Sequence, residues 1–318
     1  MTDAAITITG LTKRFGAFTA VDGLSFTVRR GEIFGFLGAN GAGKSTTIRM
    51  LCGLLQPSAG TATVGGYDID TQTEMVKQSI GYMSQRFSLY DDLTVEQNIR
   101  FYGGVYGLRD RRLKERMDWV VQMADLKGRE GSLTRTLSGG WKQRLALGCA
   151  ILHQPGIVFL DEPTGGVDPI SRRKFWELIN RLSGDGVTVL VTTHFLDEAE
   201  YCNDIILINA GRIIAGGSPV ELKTEHIRNP ILEVSCGDVV GALEAVRREP
   251  WALETSVFGT RLHVMVEEEE AGKQLLLHLL ETLGIAVEKI ERIIPSLEDV
   301  FLYLLEHDPG RPSATAGA

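Results

Sequence analysis

The stretch GANGAGKST, residues 38–46, constrains this chain more than any other part of it. It matches G-x-x-x-x-G-K-[ST], with a further glycine at Gly41, and it lies between the apolar run EIFGFLG and the apolar-periodic TTIRMLCGLL. Such a loop has to join a buried strand to a helix. Only then do successive N–H groups converge on an anion at the helix N-terminus, where the axial field is favourable. Gly38, Asn40, Gly41 and Gly43 form the cradle, and Thr46 stands at the start of the helix. Lys44 can reach the β and γ phosphates of a nucleoside triphosphate, and Ser45 can offer its hydroxyl to Mg²⁺.

Downstream, GIVFLDE (156–162) is a fully apolar run of the kind found in a parallel strand covered on both faces. Asp161 at its end can hold Mg²⁺ directly or through water. Glu162 can polarise a water for in-line attack on the γ-phosphate. An acidic pair after a strand can also simply cap the next turn; the phosphate loop favours the catalytic role. VTVLVTTH ends in His194, at the carboxyl end of a strand, where ligands of open α/β sheets collect. Gln85, in YMSQRFSLYDD, also follows a strand and can touch Mg²⁺ or the attacking water. A second phosphate-seeking stretch, TLSGGWKQR (136–144), presents Ser138, Gly139 and Gly140 where another apolar helix begins.

ITITGL, LSFTVRRGE, GTATVGG and IGYMSQ read as strands, residues 73–80 as a helix, and DIILINAGRIIAGG as a hairpin. From Thr94 to Leu126, apolar spacing near 3.6 predicts helices separated near Gly107. Strands alternating with helices imply an α/β domain with a central, mostly parallel sheet. That domain is expected over 1–223, with a helical part at about 86–150; a linker is read over Lys223–Pro230. Beyond it come ILEVSC, a helix at Val239–Arg248, LETSVF, RLHVMV, a helix at Lys273–Leu283 and AVEKIERII. This β-α-β-β-α-β order is a ferredoxin-like α+β pattern over 224–307, closed by an amphipathic helix, SLEDVFLYLLEH. The EEEE run at 267–270 reads as a solvated helix N-terminus, and the tail 308–318 as disordered.

Net charge is −8 with no long Lys/Arg run, so nucleic-acid binding has no compositional support and no nucleic-acid partner is expected. Cys52, Cys149, Cys202 and Cys236 are scattered in apolar context, which predicts buried free thiols in a reducing compartment. The N-terminus does not read as a signal peptide, and no apolar run approaches the roughly 20 residues that span a bilayer. Work at a membrane therefore needs a partner.

Taken in order, these motifs resemble the nucleotide-binding subunit of an ABC transporter over about residues 4–222. The resemblance implies a P-loop NTPase of ABC ATPase type: a mostly parallel sheet, an antiparallel β part and a helical subdomain. LSGGWKQR is similar to the family's signature. Phe15, in KRFG, falls where the family stacks an aromatic on adenine, and Asp168, in GGVDP, where it places the aspartate of the loop linking two subunits. Phe15 replaces the commoner tyrosine, Trp141 stands where many members have glutamine, and Gly165-Gly166-Val167 departs from the usual approach to Asp168. None of these removes a catalytic group.

The resemblance also implies why one chain carries two phosphate-seeking stretches. Family subunits pair head to tail, as a homodimer or with a related ATPase. Ser138, Gly139 and Gly140 would then meet the γ-phosphate of ATP held by the partner. The segment IPSLEDVFLYLLE and the QRFSLYDDLTVEQNI version of the glutamine loop resemble ABC-2-type exporters of the daunorubicin-resistance kind. That implies an ATPase at the cytoplasmic face of a bacterial plasma membrane, powering a separate permease received by residues 85–107. A soluble ABC ATPase acting on ribosomes or nucleic acid is the alternative. Ribosomal members carry tandem ATPase units and chromosome-maintenance members long coiled coils; this chain has one GxxxxGKST and no sustained heptads. Cargo is chosen by the permease and is not legible in this chain.

Overall fold

The computed structural model describes residues 3–86 and 88–307. The 308–318 tail, and Phe87 inside the Gln85–Leu93 segment, lie outside the described residues. The chain divides into two units, Met1–Ser218 and Pro219–Ala318. The break precedes the expected one because Pro219 opens a helix, Pro219–Glu225, that the sequence reading passed over. Proline suits a first helical turn, where its missing N–H has no partner to lose. The polar run TEHIRNP ends that helix and does not begin the unit.

The first unit starts with β1 (Ala4–Phe15) and β2 (Phe18–Arg29), an antiparallel hairpin in which Ile6 and Ile8 are buried while Thr7 and Thr9 face out. It continues through β3 (Ile33–Gly38), α1 (Lys44–Leu51), β4 (Ala59–Val64), β5 (Tyr67–Asp68), α2 (Thr73–Ser79), β6 (Ile80–Met83), α3 (Val95–Val105), α4 (Asp110–Met123) and α5 (Gly139–Ala150). Then come β7 (Ile157–Asp161), α6 (Pro169–Gly184), β8 (Thr188–Thr193), a 3₁₀ segment at Leu196–Tyr201, β9 (Asp204–Asn209) and β10 (Arg212–Gly217). Two expected elements differ in extent. α1 begins at Lys44 and stops at Leu51, because the chain turns at Gly53 (φ +66°) and Leu54 and Leu55 both donate back to the Arg49 carbonyl. β6 ends at Met83, two residues before Gln85.

One sheet has the order β2-β1-β4-β5, and the other β10-β9-β3-β8-β7-β6. Within the second, β6, β7, β8, β3 and β9 run parallel and only the β9–β10 hairpin is antiparallel. Every residue of β3, β7 and β8 is buried, as strands covered on both faces require. α1 is wedged between the sheets, touching β2 and β4 on one side and β3 and β7 on the other. Its Ile48 and Leu51 are fully buried with Phe36, Val21 and Val64. Truncating Ile48 to alanine would cost about 2–5 kcal/mol and loosen the helix that carries the phosphate loop. A separate cluster around Ile99, Val120, Leu145 and Leu152 holds α3, α4 and α5 together.

The second unit contains α7 (Pro219–Glu225), β11 (Ile231–Cys236), α8 (Val239–Val246), β12 (Ala252–Phe258), β13 (Arg261–Val266), α9 (Glu269–Thr282), β14 (Val287–Ile293) and α10 (Leu297–Glu306). All its strand pairs are antiparallel, in the order β12-β13-β11-β14, which is the ferredoxin-like arrangement. α9 begins at Glu269, four residues before the expected start: Glu268 caps it by accepting the Ala271 N–H, and Glu269 pairs with Lys273. α10 is fixed by a capping box between Ser296 and Asp299. Of the four cysteines Cys52, Cys149 and Cys202 are buried, while Cys236 is only half-buried near the end of β11. Among the described residues, no helix is long and apolar enough to cross a membrane.

Candidate active site

The strand order assembles the site. In a parallel sheet the carboxyl ends of neighbouring strands lie side by side, and β3, β8, β7 and β6 are consecutive. The phosphate loop leaves β3, His194 follows β8, Asp161 ends β7 with Glu162 just after it, and Gln85 follows β6. Residues as far as 156 positions apart in sequence (38 and 194) thus meet at one edge.

Within the loop, Gly43 has φ +106°, and a β-carbon there would lie 2.5 Å from the Ala20 carbonyl oxygen. A β-carbon at Gly38 would lie 2.3 Å from that of Ile208. The cradle therefore needs glycine on both conformational and steric grounds. Lys44 is buried; its Nζ donates to the carbonyls of Gly38 (2.8 Å) and Ala39 (3.1 Å) and lies 3.2 Å from Glu162 Oε1. The other Glu162 oxygen accepts the Gln85 Nε2 amide at 3.0 Å and lies 3.3 Å from His194 Nδ1. This carboxylate is the hub of the site. Its backbone is in the left-handed region (φ +47°), as are those of Asp110, Asp125, Gln154 and Ala210.

Asp161 accepts hydrogen bonds from Ser45 Oγ at 2.9 Å and Thr192 Oγ1 at 2.8 Å, both at Oδ1. Burial holds its carboxyl above the ordinary carboxylate range, and the two hydroxyls pull it partway back. Thr192 was missed by the sequence reading. Its hydroxyl donates to Asp161 and accepts the Glu162 N–H at 2.9 Å, so one buried oxygen sets both carboxylates. In an apolar strand a threonine looks like any β-branched strand former, and nothing in the run VTVLVTTH separates it from its neighbours.

The remaining candidates lie apart. Among the described residues, no hydrogen bond or ion pair joins Ser138, Gly139 or Gly140 to the phosphate loop of the same chain. Ser138 and Gly139 are exposed at the start of α5, and Gly140 is buried against Ser171 of α6. Asp168 is exposed and caps α6 by accepting the Ser171 N–H at 2.9 Å. Phe15 stands exposed at the β1–β2 turn, with Lys13 Nζ 5.2 Å from its ring centroid. Its register partner Phe18 is more exposed still. Buried Gln143 donates from Nε2 to the Pro163 carbonyl at 2.8 Å, tying α5 to the loop that follows Glu162.

The family model for ABC transporters matches residues 21–165, and the one for the C-terminal domain of DrrA1-3-like ATP-binding proteins matches 217–304. The probable multidrug ABC transporter ATP-binding protein YbhF of Escherichia coli is 54% identical over 215 residues, 68% of this chain. The chain spans only 37% of the length of YbhF. The Nod factor export ATP-binding protein I of Ralstonia nicotianae is 37% identical over 300 residues, covering 94% of this chain and 93% of that protein. The chain belongs to the ABC transporter ATP-binding proteins. Among solved structures, cbiO1 of Clostridium perfringens, described as part of the ABC transporter complex cbiONQ, aligns with a TM-score of 0.65 at 28% identity. That alignment covers 70% of this chain and 92% of cbiO1. These relatives are named as ATP-binding proteins, and in this chain the glycine cradle with buried Lys44 is the part whose geometry could take phosphates.

Proposed function

We propose that this chain is the ATP-hydrolysing subunit of an ABC exporter, that two copies close around ATP, and that a separate membrane permease carries the cargo. The observation that bears most weight is the convergence of Lys44, Gln85 and His194 on the single carboxylate of Glu162. Lys44 and the loop N–H groups hold the phosphates. Glu162 takes the proton of the attacking water, a role suited to a carboxylate whose two oxygens are already oriented by three partners. His194 and Gln85 fix the geometry around that water. Ser45 and Asp161 form an all-oxygen pair of the kind Mg²⁺ takes, with Gln85 as a further oxygen donor, and the ion would neutralise charge developing on the phosphate oxygens.

The exposed Ser138 and Gly139 at a helix N-terminus suit the γ-phosphate of ATP on a second subunit, with Gly140 supporting the turn and Asp168 at the subunit junction. Exposed Phe15 suits adenine. Export is supported by relatives named for Nod factor export and by the DrrA-like second unit. The permease face is best sought on residues 85–107. There Tyr90, Phe101 and Val105 are exposed, Tyr90 packs edge-on to Phe101 at 4.8 Å, and an open groove of about 620 Å³ runs along Phe101, Gly104 and Val105. Buried Asn98 braces this face, accepting the Tyr90 N–H and donating back to the Tyr90 carbonyl, both at 2.9 Å. The protein would then work at the cytoplasmic face of a bacterial plasma membrane.

Glu162→Gln tests the reading. ATP binding is expected to persist while turnover falls about 10²–10⁴-fold and an ATP-bound dimer accumulates on size-exclusion chromatography. Undiminished turnover in that variant would remove the general-base assignment.

A further inference from the structure

An ionic cluster built around buried Glu198 in the first unit takes no direct part in the site. One turn beyond Asp168, Arg172 leaves α6 toward the segment that follows β8. Its Nε lies 3.4 Å from Glu198 Oε1, its Nη1 3.7 Å from Asp197 Oδ2, and its guanidinium carbon 4.4 Å from the centre of the Phe195 ring. Glu198 is 1% exposed, and its second oxygen accepts the Thr193 hydroxyl at 2.8 Å. The same Thr193 oxygen accepts the Phe195 N–H at 3.0 Å. One turn further along α6, buried Trp176 stacks on Tyr201 at 4.9 Å. The whole stretch from Phe195 to Tyr201 is therefore clamped to α6 at both ends.

His194 sits between two of the clamped residues. Its own side chain is 34% exposed, and its ring packs on that of Phe195 with centroids 4.1 Å apart, so its place depends on where Phe195 is held. We propose that Arg172 is a positioning residue for His194, locking the turn after β8 to the helix that starts at Asp168. The proposal rests on the ATPase reading of the same site and names how that site is regulated. Asp168 stands at the exposed end of α6, where a second subunit would press. A shift of that helix end moves Arg172, and through Glu198, Thr193 and Phe195 it moves His194 relative to Glu162. A displacement of about 1 Å at such a contact is enough to depress a catalytic step steeply. Nε and Oε1 meet as an ion pair without hydrogen-bond geometry, and Glu198 is a carboxylate taken out of water, which makes separation from the guanidinium unfavourable. Burial also pushes the Glu198 carboxyl above its ordinary range, as expected of a group this enclosed.

The test compares Arg172→Met, Arg172→Lys, Glu198→Gln and the double variant Arg172→Met/Glu198→Gln in the full chain. Steady-state ATPase, nucleotide affinity, thermal melting and the imidazole NMR signal of His194, assigned through His194→Gln, are measured. For Arg172→Met we expect kcat to fall about tenfold or more with KM and nucleotide affinity within about twofold, and the His194 signal to move. Arg172→Lys recovers part of the rate. The double variant regains melting temperature, because the stranded carboxylate is neutralised, without regaining kcat. Wild-type kcat and an unmoved His194 signal in Arg172→Met overturn the proposal, as does a kcat that recovers in step with stability in the double variant. A wild-type chain that hydrolyses no ATP sinks the parent reading. The His194 signal then judges Arg172 alone, a shift supporting the placement and an unmoved signal overturning it.

Discussion

Replacing Thr192 with valine keeps the shape of the side chain and deletes the one hydroxyl that joins Asp161 to the Glu162 backbone. The residue is fully buried, so water does not substitute. The 2.8 Å bond to the Asp161 carboxylate is charge-assisted, and losing it costs about 1.5–3 kcal/mol. The Glu162 N–H loses its 2.9 Å acceptor but retains the Thr192 carbonyl at 3.1 Å, which limits that loss to about 0.5 kcal/mol. The added methyl returns about 0.8 kcal/mol of burial. The net is about 2 kcal/mol, or about 4–8 °C in Tm for a unit of this size.

The effect carries a pH signature. Burial raises the Asp161 carboxyl and the Thr192 hydroxyl opposes that rise, so valine moves it further up. A carboxyl raised in the folded state destabilises only when ionised, and below its unfolded pKa of about 3.9 that contribution vanishes. The penalty of Thr192→Val is thus complete at neutral pH and shrinks as pH falls through the Asp161 titration. Thr192→Ser is the control. It keeps both hydrogen bonds, loses a buried methyl worth about 1 kcal/mol at all pH, and should hydrolyse ATP at nearly the wild-type rate. Thr192→Val should lose about tenfold in kcat, because the carboxylates are no longer set by one oxygen. Melting curves and steady-state ATPase at neutral and mildly acidic pH decide it. A neutral-pH Tm for Thr192→Val within about 1 °C of wild type, or equal rate losses in the two variants, would refute the reasoning.

Three further outcomes are expected. A β-carbon at Gly140 would lie 2.3 Å from Ser171 Oγ, so Gly140→Ala should destabilise by about 1–3 kcal/mol and Ser171→Gly should rescue it; chemical denaturation without rescue would break the α5–α6 packing account. Ser138→Arg should abolish ATP-dependent dimerisation on size-exclusion chromatography while each monomer binds nucleotide within about twofold of wild type, and unchanged ATPase activity would count against a shared site. In the second unit His263 is buried, with Nδ1 3.0 Å from Asp299 and Nε2 3.3 Å from Glu233. Burial lowers its pKa but the two carboxylates together raise it more, so the net shift is upward. The resulting stabilisation is complete below the unfolded pKa of about 6.5 and is lost as pH rises through the folded value. The melting advantage of wild type over His263→Gln should therefore shrink toward alkaline pH, and an NMR titration midpoint for His263 at or below the unfolded value would refute this.

The sequence by itself determined the parts that local chemistry dictates. The run 38–46 needs a strand before it and a helix after it, and the runs at 156–162 and 187–194 are too continuously apolar for anything but covered strands. The β-α-β-β-α-β order of the second unit was legible for the same reason, since period and turn residues are local. Local signals were mixed at element ends: the EEEE run reads as the helix N-terminus that Glu268 and Glu269 form, although the periodic helix is read only from Lys273, and α7 starts at Pro219, inside what reads as the end of the first domain. Only the tertiary structure decided which elements are neighbours. β8 lies between β3 and β7 although it follows both in the chain, because parallel strands are joined by crossovers and their order need not follow the sequence. That adjacency turns four separate residues, Lys44, Gln85, Glu162 and His194, into one cluster. It also gives Thr192 a place beside them, which its residue type does not announce, because a hydroxyl acquires meaning only from the buried group it faces.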